Sequence, residues 1–345
     1  MKGFVLAAGF GSRLTPLTDS IPKPLLPVGN VPLIGYALRL LASHGITEVA
    51  VNLHHLGRQL KEELGDGAAF GVEITYSEEE EILGTGGGLK QMAAFLDQPF
   101  VVVNSDIIID VDLAAVIADH RQRGALSTMV LREDPNQDNY GLIEIDSDGR
   151  IRRILGQGDA PEALRPLMFT GVHVMEPRFL EYIPAGINTC VNRYAYPKAL
   201  ANGEILAGFV ARGYWADMGT PARYLAGNVD ALERRMGLAH IDPLAGFALA
   251  PTKAVSEVVR MGEGVQLGAD VHLVPPVVLG DGVKIGDHAV VGPRCVVGAK
   301  VHIGKEARVS DAVLLPGARV EPNAEMQRVI VGRRAVIAAE LPPEV

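Results

Sequence analysis

The strongest constraint on the fold is a six-residue repeat in the C-terminal third of the chain. An aliphatic residue recurs at every sixth position over nine hexads. Neither an α-helix nor a hairpin strand has a period of six. The repeat fits a parallel β-helix, in which each hexad forms one side of a coil and stacked coils bury the repeated position. The repeated residues are Leu267, Leu273, Leu279, Ile285, Val291, Val297, Ile303, Val309 and Leu315, and the small or apolar residues four places later are Val271, Val277, Val283, Ala289, Cys295, Val301, Ala307 and Val313.

The first two thirds of the chain instead alternate apolar runs with amphipathic segments. Gly3–Ala7 is apolar throughout, as expected of a strand buried on both faces of a sheet. Alternating strands and helices predict an α/β, Rossmann-like domain with a mostly parallel sheet, which binds ligands beyond the carboxyl ends of its strands. The other predicted strands are Glu48–Leu53, Val72–Ser77, Phe100–Asn104, Leu126–Arg132, Gly141–Ile145, Met168–Val174 and Ile205–Ala211, and the predicted helices are Leu33–Ser43, Leu56–Leu64, Gly87–Leu96, Leu113–Arg123 and Arg193–Asn202.

The two patterns predict two domains, an expectation that the length of 345 residues supports. We place the α/β domain at 1–236, a linker containing Pro243 and Pro251 at 237–262, and a left-handed β-helix at 263–340, because the repeat resembles the left-handed hexapeptide-repeat β-helix. The ends of so short a stack need covering, so the β-helix is expected to mediate homo-oligomer formation.

Charge and composition narrow the class of partner. The net charge of −9 argues against nucleic acid, whose phosphate backbone attracts clustered Lys and Arg. The two cysteines, Cys190 and Cys295, have no metal-site spacing and form no disulfide framework. The sequence shows no signal-peptide h-region and no apolar run of about 18 residues. We therefore expect a cytoplasmic protein that does not span a membrane.

A glycine-rich segment directly after the first strand predicts a phosphate-binding loop. Gly9 and Gly11 let backbone N–H groups approach a phosphate with no Cβ in the way. Arg13 and Lys23, the latter in Pro22-Lys-Pro24, supply positive charge for a triphosphate. A dinucleotide-binding fingerprint fits less well, because Leu14 stands at its third glycine. A plain βα turn remains the alternative for the glycines alone.

Carboxylates follow a second apolar strand. In Val101-Val-Val-Asn-Ser-Asp106 the strand ends near an aspartate, which suits Mg²⁺ because that ion takes one or two carboxylates plus substrate phosphates. Aspartates at strand ends are also common turn or cap residues, and we assign Asp110 and Asp112 to such roles.

Together these segments resemble the signature of the sugar-1-phosphate nucleotidyltransferases, Leu-Ala-Ala-Gly-x-Gly-x-Arg-Leu-x-Pro-Leu-Thr followed by Pro-Lys-Pro. A further segment, Trp215-Ala-Asp-Met-Gly-Thr-Pro221, resembles another motif of that family. The resemblance implies transfer of a nucleotidyl group from a nucleoside triphosphate to a sugar 1-phosphate, with Arg13 and Lys23 on the phosphates and Mg²⁺ on Asp106 and Asp217. The implied nucleotide-binding loop comprises Leu6, Ala7, Ala8, Gly9, Gly11, Ser12 and Arg13.

Within the family, the acidic segment Glu78-Glu-Glu-Glu-Ile-Leu-Gly-Thr-Gly-Gly-Gly88 resembles that of GDP-mannose pyrophosphorylases. The resemblance implies that Glu79 accepts hydrogen bonds from guanine and that Gly84, Thr85 and Gly86 face the base and ribose. It favours GTP and mannose 1-phosphate as substrates. An acidic run is otherwise most often a solvated face. The implied sugar contacts are Tyr140, Gly141 and Gly171.

The sugar-binding part departs from the family pattern. The family's Glu-Lys-Pro lysine is missing around Gly149–Gly158, where Arg152 and Arg153 are the candidate substitutes, and Phe169 replaces an asparagine. The Phe-Thr-Gly and Thr-Gly-Gly-Gly strings also occur in muramic-acid-phosphate uridylyltransferases, so UTP- or dTTP-dependent transfer to glucose 1-phosphate or a muramic-type sugar phosphate is an alternative. Two other classes stay open. One is a hexapeptide-repeat acyltransferase using His272, His288 or His302, and the other is a non-catalytic regulatory subunit that binds sugar nucleotides.

Overall fold

The computed structural model describes residues 1–133, 142–159, 163–245, 248–249 and 259–339. Internal contacts divide the chain into two compact units: unit 1 is Met1–Phe10 with Ile34–Trp215, and unit 2 is Gly11–Leu33 with Ala216–Val345. Unit 2 therefore combines the segment that carries Arg13 and Lys23 with the C-terminal part of the chain. In the described ranges, no helix is both long and apolar enough to cross a bilayer.

The α-helices of the described chain are few and short. Those with the predicted bounds are Leu33–Ser43 and Leu113–Arg123. The α-helices are α1 (Leu33–Ser43), α2 (Gly57–Leu64), α3 (Gly84–Gln91), α4 (Leu113–Arg123), α5 (Tyr196–Ala201) and α6 (Pro221–Leu232), with 3₁₀ turns at Ser12–Leu14, Leu17–Asp19, Lys23–Leu25, Ala68–Phe70 and Pro177–Tyr182 and a π-helical turn at Val191–Ala195.

Strands make up most of the remaining regular structure. Before helix α6 they are β1 (Lys2–Leu6), β2 (Pro27–Val28), β3 (Val31–Pro32), β4 (Glu48–Leu53), β5 (Glu73–Glu78), β6 (Phe100–Asn104), β7 (Ile107–Ile109), β8 (Ser127–Arg132), β9 (Leu142–Ile145), β10 (Ile151–Ile154), β11 (Gln157–Gly158), β12 (Arg165–Met175), β13 (Leu206–Val210) and β14 (Trp215–Asp217). The C-terminal strands are β15 (Ala248–Leu249), β16 (Val259–Met261), β17 (Gln266–Leu267), β18 (His272–Leu273), β19 (Val277–Leu279), β20 (Lys284–Ile285), β21 (Val290–Val291), β22 (Cys295–Val297), β23 (His302–Ile303), β24 (Arg308–Leu314), β25 (Arg319–Val320), β26 (Glu325–Val331) and β27 (Val336–Ala338).

Unit 1 is built on a sheet whose first four strands are parallel, as predicted. Strand β1 lies between β4 and β6, and β5 pairs with β4, all in parallel. The middle of β1 is fully buried, as expected of a parallel strand covered on both faces. Leu6, Leu53, Glu78 and Asn104 therefore end their strands at the same edge of the sheet.

In the other half of the sheet, strand β12 runs opposite to this core. Strand β12 pairs antiparallel with β6, β8 and β9, and β13 pairs parallel with β8. Because β12 runs opposite to β6, its Gly171 lies beside Asn104 at the carboxyl end of β6, with Val172 paired to Val103. Residues in the middle of β12 therefore lie at the edge of the sheet where ligands are expected to bind.

Strand β12 carries a buried histidine, His173. The Nδ1 atom of His173 is 2.6 Å from the hydroxyl of Tyr196, which is also 2.7 Å from the hydroxyl of Ser127. The ring of Phe169 packs 4.2 Å from the imidazole, centre to centre. Burial lowers the pKa of His173 to about 3, because the charged imidazolium loses its hydration.

This histidine should make unfolding sensitive to mild acid. Its pKa is about 3 when folded and ~6.5 when unfolded, so its contribution to stability is complete above pH ~6.5 and is lost as the pH falls toward 3. We expect His173→Phe to remove up to about 1.4 kcal/mol per pH unit from the slope of unfolding free energy between pH 6.5 and 4.5. Urea unfolding across that range measures the slope, and an unchanged slope would contradict the assignment.

From β16 to β26 the C-terminal strands pair in parallel, and up to β24 the paired residues lie at a regular sequence interval. Gln266 pairs with Lys284, which pairs with His302, and Val277 pairs with Cys295, each 18 residues apart. Three hexads per turn give this interval, so the pairing is consistent with the predicted β-helix. The repeated aliphatic positions from Leu279 onward are buried, whereas Leu267 on edge strand β17 is 45% exposed.

The interval shortens by one residue at strand β24. Val291 pairs with Val309 at 18 residues, but Cys295 pairs with Ala312 and Val297 with Leu314 at 17. In β24, only Ser310 and Asp311 separate the residues that pair with β21 from the residues that pair with β22. Between β21 and β22 themselves there are three residues. Val313 and Leu315 are buried, as the repeat predicts, but Ala312 and Leu314 are the residues that join the interior cluster of the stack. Because side chains alternate along a strand, Val313 points outward.

Candidate functional site

In unit 1, the segment after β1 is held at the carboxyl edge of the sheet by its neighbours. The amide of Ala7 donates to Oδ1 of Asn52 at 2.7 Å, and the amide of Ser105 donates to the carbonyl of Leu6 at 3.1 Å. Ala7 and Ala8 are buried, whereas Gly9 and Phe10 are exposed. A Cβ on Gly9 would meet no other protein atom within 4 Å. Gly9 therefore leaves an open backbone surface at the tip of the predicted phosphate loop.

Glu79 is the buried member of the acidic run. Its Oε1 accepts from Asn52 at 2.7 Å and its Oε2 accepts from the amide of Leu83 at 2.8 Å. It therefore links strand β4, whose Asn52 also holds the amide of Ala7, to the start of α3. Glu78, Glu80 and Glu81 are exposed, as expected of a solvated face. Each carboxylate oxygen has a second lone pair, so hydrogen bonding to a base remains compatible with these contacts.

The glycine run belongs to helix α3, which begins at Gly84 and not at the predicted Gly87. Glycine is a poor helix former, so packing decides the start. A Cβ on Gly86 would lie 2.6 Å from Oγ1 of Thr189, and one on Gly88 would lie 2.7 Å from Oε1 of Glu79. The glycines let helix α3 approach both groups closely.

The segment before α5 closes over the start of helix α3. The amide of Gly86 donates to the carbonyl of Thr189 at 2.8 Å, and the amide of Val191 donates to Oγ1 of Thr85 at 2.9 Å. Oγ1 of Thr189 and Oδ1 of Asn192 are buried without a hydrogen-bond partner. Buried polar atoms rarely stay unpaired, so these two oxygens are candidate ligand contacts.

The predicted sugar contacts are only partly described. Gly171 has a φ of 96°, and a Cβ there would lie 3.0 Å from Nδ2 of Asn104. The indole of Trp215 donates to the carbonyl of Thr170 at 2.8 Å, which fixes the ring near this bend. Tyr140 and Gly141 lie outside the described residues.

Arg152 and Arg153, the candidate substitutes for the missing lysine, are paired within their own hairpin. Nε of Arg152 donates to Asp146 at 2.6 Å, and Arg153 lies 3.3 Å from Glu144. Asp146 is buried, and the arginine with two backbone amides lowers the pKa of its carboxyl despite that burial. Both arginine charges thus already face carboxylates.

In unit 2, the continuation of the phosphate loop is tightly folded on Lys23. Gly11 has a φ of 65°, and a Cβ there would lie 2.9 Å from Cβ of Lys23. The hydroxyl of Thr18 donates to the carbonyl of Gly11 at 3.1 Å. Lys23 is buried, while Ser12 and Arg13 are exposed. The fold therefore requires glycine at position 11 for packing as well as for any ligand.

Arg13 and Asp217 meet at Gly219 within unit 2. A Cβ on Gly219 would lie 2.6 Å from a terminal nitrogen of Arg13 and 2.6 Å from Oδ1 of Asp217. Oδ2 of Asp217 accepts from Arg223 of helix α6 at 2.9 Å. Oδ1 of Asp217 is buried and has no hydrogen-bond partner. A glycine thus leaves room for a cation and a carboxylate oxygen that is poised to accept.

Asp106 lies in unit 1, in the turn between β6 and β7, and is half-buried. It stands at the carboxyl edge of the sheet, as predicted from its strand. Asp112 caps helix α4, since its Oδ1 accepts from the amides of Ala114 and Ala115. Thr220 likewise caps α6 by accepting from the amide of Arg223.

Several residues of the site were not predicted from sequence. They are Asn52, Thr189 and Arg223. Asn52 and Thr189 act through contacts with residues far along the chain, and a lone Asn or Thr gives no local pattern. Arg223 had a weak signal, because it stands in the first turn of the helix that follows the Trp-x-Asp motif.

Comparison with known proteins identifies the family. The Nucleotidyl transferase family model matches residues 2–234, and the GMPPB C-terminal domain model matches residues 273–341. The chain therefore belongs to the nucleotidyl transferase family, in its sugar-1-phosphate nucleotidyltransferase group.

Named relatives differ in both base and sugar. The chain is 34% identical over 238 residues to a UTP–glucose-1-phosphate uridylyltransferase of Synechocystis, covering 65% of this chain and 61% of that protein. It is 34% identical over 228 residues to a mannose-1-phosphate guanylyltransferase of Mycobacterium tuberculosis, covering 66% and 63%. It is 37% identical over 231 residues to an N-acetylmuramate alpha-1-phosphate uridylyltransferase of Neisseria meningitidis, covering 65% and 95%. The matches thus span less than two thirds of the first two relatives.

Solved structures share the fold. HddC from Yersinia pseudotuberculosis, solved with GMP-PN, has a TM-score of 0.56 and 21% identity, covering 66% of this chain and 97% of that one. A Bacillus anthracis structure solved with sucrose has a TM-score of 0.59 and 24% identity, covering 71% and 98%.

Proposed function

We propose that this protein transfers a nucleotidyl group from a nucleoside triphosphate to a sugar 1-phosphate. The observation that carries the proposal is the meeting of Arg13 and the unpartnered Oδ1 of Asp217 at Gly219. A guanidinium suits phosphate oxygens, and a buried carboxylate oxygen without a donor suits a cation. Family membership supports the same reaction class.

The proposed reaction needs no general base. An oxygen of the sugar 1-phosphate is already an anion, and it attacks the α-phosphorus of the triphosphate. As the new P–O bond forms, the bond to the bridging oxygen of the β-phosphate breaks and pyrophosphate leaves with the electron pair. Arg13 and Lys23 would hold the triphosphate and offset the charge on the leaving group, so positioning and charge neutralisation carry catalysis.

Enzymes of this family typically use a divalent metal, and we propose Mg²⁺ for this one. Asp217, with one oxygen held by Arg223 and one unpartnered, fits a hard cation that prefers oxygen ligands. Asp106 is the proposed second ligand. When bound, Mg²⁺ would neutralise phosphate charge. Among the described residues no group of three or more His, Cys, Asp or Glu side chains could hold a metal, and a site that shares its ion with substrate phosphates needs none.

For the substrates, GTP and mannose 1-phosphate are our first choice. The C-terminal match to the GMPPB domain supports it, as does the buried Glu79 beside the start of α3. UTP with a muramic-type sugar phosphate is the second candidate, supported by the Neisseria relative, of which 95% is covered. The unpartnered oxygens of Thr189 and Asn192 are proposed to accept hydrogen bonds from hydroxyl groups of the sugar.

The C-terminal repeat is proposed to be a left-handed β-helix that supports a homo-oligomer, with the α/β domain, linker and β-helix at 1–236, 237–262 and 263–340. The parallel pairing at 18-residue intervals supports the β-helix. We place the protein in the cytoplasm on its cysteine content.

A pyrophosphate-release assay tests the reaction and the substrates together. GTP, UTP, dTTP, ATP and CTP would each be incubated with mannose, glucose and N-acetylmuramate 1-phosphates in the presence of Mg²⁺. We expect kcat/KM for GTP with mannose 1-phosphate to exceed every other pair by at least about tenfold, the discrimination that one or two well-placed hydrogen bonds supply. A preference for UTP with N-acetylmuramate 1-phosphate would select the second candidate. No release with any pair would refute the proposed activity.

A further inference from the structure

Helix α6 (Pro221–Leu232) lies between two parts of unit 2 that are distant in sequence. On one side it holds the phosphate-loop segment: Oδ1 of Asn228 accepts from the amide of Gly29 at 3.0 Å, and the hydroxyl of Tyr224 donates to the carbonyl of Pro27. Asn228 and Tyr224 are both fully buried. These contacts fix the segment that follows Lys23.

The same helix also fixes the segment around Asp217. Arg223 donates to Oδ2 of Asp217, and Gly227 leaves room for Met218, whose Cε would lie 2.3 Å from a Cβ at position 227. Met218 is fully buried. One short helix thus determines where both the loop and the carboxylate stand.

On its other side, helix α6 covers one face of the C-terminal strands. It contacts β22, β24 and β26. The outward positions of a strand stack are ordinarily polar, yet on this face they are aliphatic and almost wholly buried. They pair in register across neighbouring strands and comprise Val278, Val296, Val313 and Ile330, exposed by 1%, 4%, 1% and 0% respectively.

The turn between β26 and β27 also lies directly against the loop. A Cβ on Gly332 would lie 2.9 Å from Cδ2 of Leu17, a buried residue between Arg13 and Lys23. The one-residue shortening at β24 matters here, because it turns Val313 outward toward α6 instead of into the stack. The strand stack, helix α6 and the loop therefore form one continuous packed body within unit 2.

We propose that the C-terminal strand stack is a positioning element of the nucleotide site. It holds the loop that carries Arg13 and Lys23 by supporting helix α6 on Val296, Val313 and Ile330. The inference rests on the proposed function for its effect on nucleotide binding, but the packing itself can be tested without it. Loosening the stack under α6 should free the loop while leaving unit 1 unchanged.

The experiment compares two valines on the outward faces of the stack in the full chain. Val313 lies under α6. Val290 is partly exposed, and it pairs with His272 and Arg308 on the neighbouring strands. Val313→Thr buries an unpaired hydroxyl under the helix, and Val290→Thr leaves its hydroxyl in contact with water. Hydrogen exchange of the amides in 11–33 is the first readout, and dissociation constants for the nucleoside triphosphates are the second.

We expect Val313→Thr to speed exchange in the loop by about tenfold and to weaken triphosphate binding by a similar factor, with unchanged exchange in β1, β4 and β6. Val290→Thr should match the wild type. Asn228→Ala, which removes the acceptor for the amide of Gly29 from the other side of α6, should also speed loop exchange and serves if Val313→Thr fails to fold. Wild-type loop exchange in a folded Val313→Thr variant would overturn the inference, whatever the effect of Asn228→Ala. If the wild type binds no triphosphate, the proposed function fails while the exchange comparison still decides whether the stack supports the loop.

Discussion

Asp217→Asn is expected to lower kcat by about 10²–10³-fold, the usual effect of removing one group that stabilises charge at a reacting centre. The amide keeps the shape of the side chain and can still accept a hydrogen bond from Arg223. It replaces the buried, unpartnered oxygen by a neutral group that binds a cation poorly. Initial rates of pyrophosphate release at saturating substrates measure the effect.

Asp230→Asn is the matched control for this prediction. Asp230 also faces an arginine in unit 2, at 2.9 Å from Arg235, but at the far end of helix α6 and partly exposed. Exposed ion pairs contribute about 0–1 kcal/mol, so this variant should retain wild-type turnover. Full activity of Asp217→Asn, with a wild-type unfolding midpoint, would remove Asp217 from the proposed metal site.

Gly9→Ala is expected to weaken triphosphate binding by about tenfold or more while leaving the fold intact. A Cβ at position 9 meets no protein atom within 4 Å, so the unfolding free energy should change by less than about 0.5 kcal/mol. A bound phosphate that approaches the backbone at Gly9 would meet that methyl group. Calorimetric titration with the preferred triphosphate, beside urea unfolding, separates the two effects.

Gly11→Ala, in the same loop, is the comparison variant, because it should destabilise the fold whereas Gly9→Ala should not. Its φ of 65° is unfavourable for alanine, and the new Cβ would lie 2.9 Å from Cβ of Lys23. We expect a loss of about 1–2 kcal/mol in unfolding free energy. Unchanged affinity in Gly9→Ala would mean that no ligand approaches the backbone there and would contradict the phosphate-loop assignment.

Sequence patterns predicted most of the architecture because the signals are local. The apolar run at β1, the helical periods of α1 and α4 and the hexad repeat each report burial along one element. Helix α3 was misjudged at its start because the propensity of glycine opposes the helix, and only packing against Thr189 and Glu79 explains it. The shortening at β24 was missed because the sequence keeps its period of six through Leu315 while the pairing does not.

The candidate site divides in the same way. Gly9, Gly11, Arg13, Lys23 and Asp106 stand in short motifs next to strand ends, so local patterns suffice to propose them. Glu79 is held by Asn52, which lies 27 residues away in the sequence. Its hydrogen bonds with Asn52 and with the amide of Leu83 are visible only in the three-dimensional structure. The unpartnered oxygen of Asp217 depends on burial, which no motif reports.

The discontinuous make-up of unit 2 has a consequence for protein engineering. A chimera joined at residue 234, where the family match ends, would bring residues 11–33 from one parent and the strand stack from another. Helix α6 would then pack against strands from the other parent, and Leu17 would contact that parent's residue at position 332. Exchange of nucleotide-binding properties between relatives should therefore transplant residues 11–33 and the C-terminal part together.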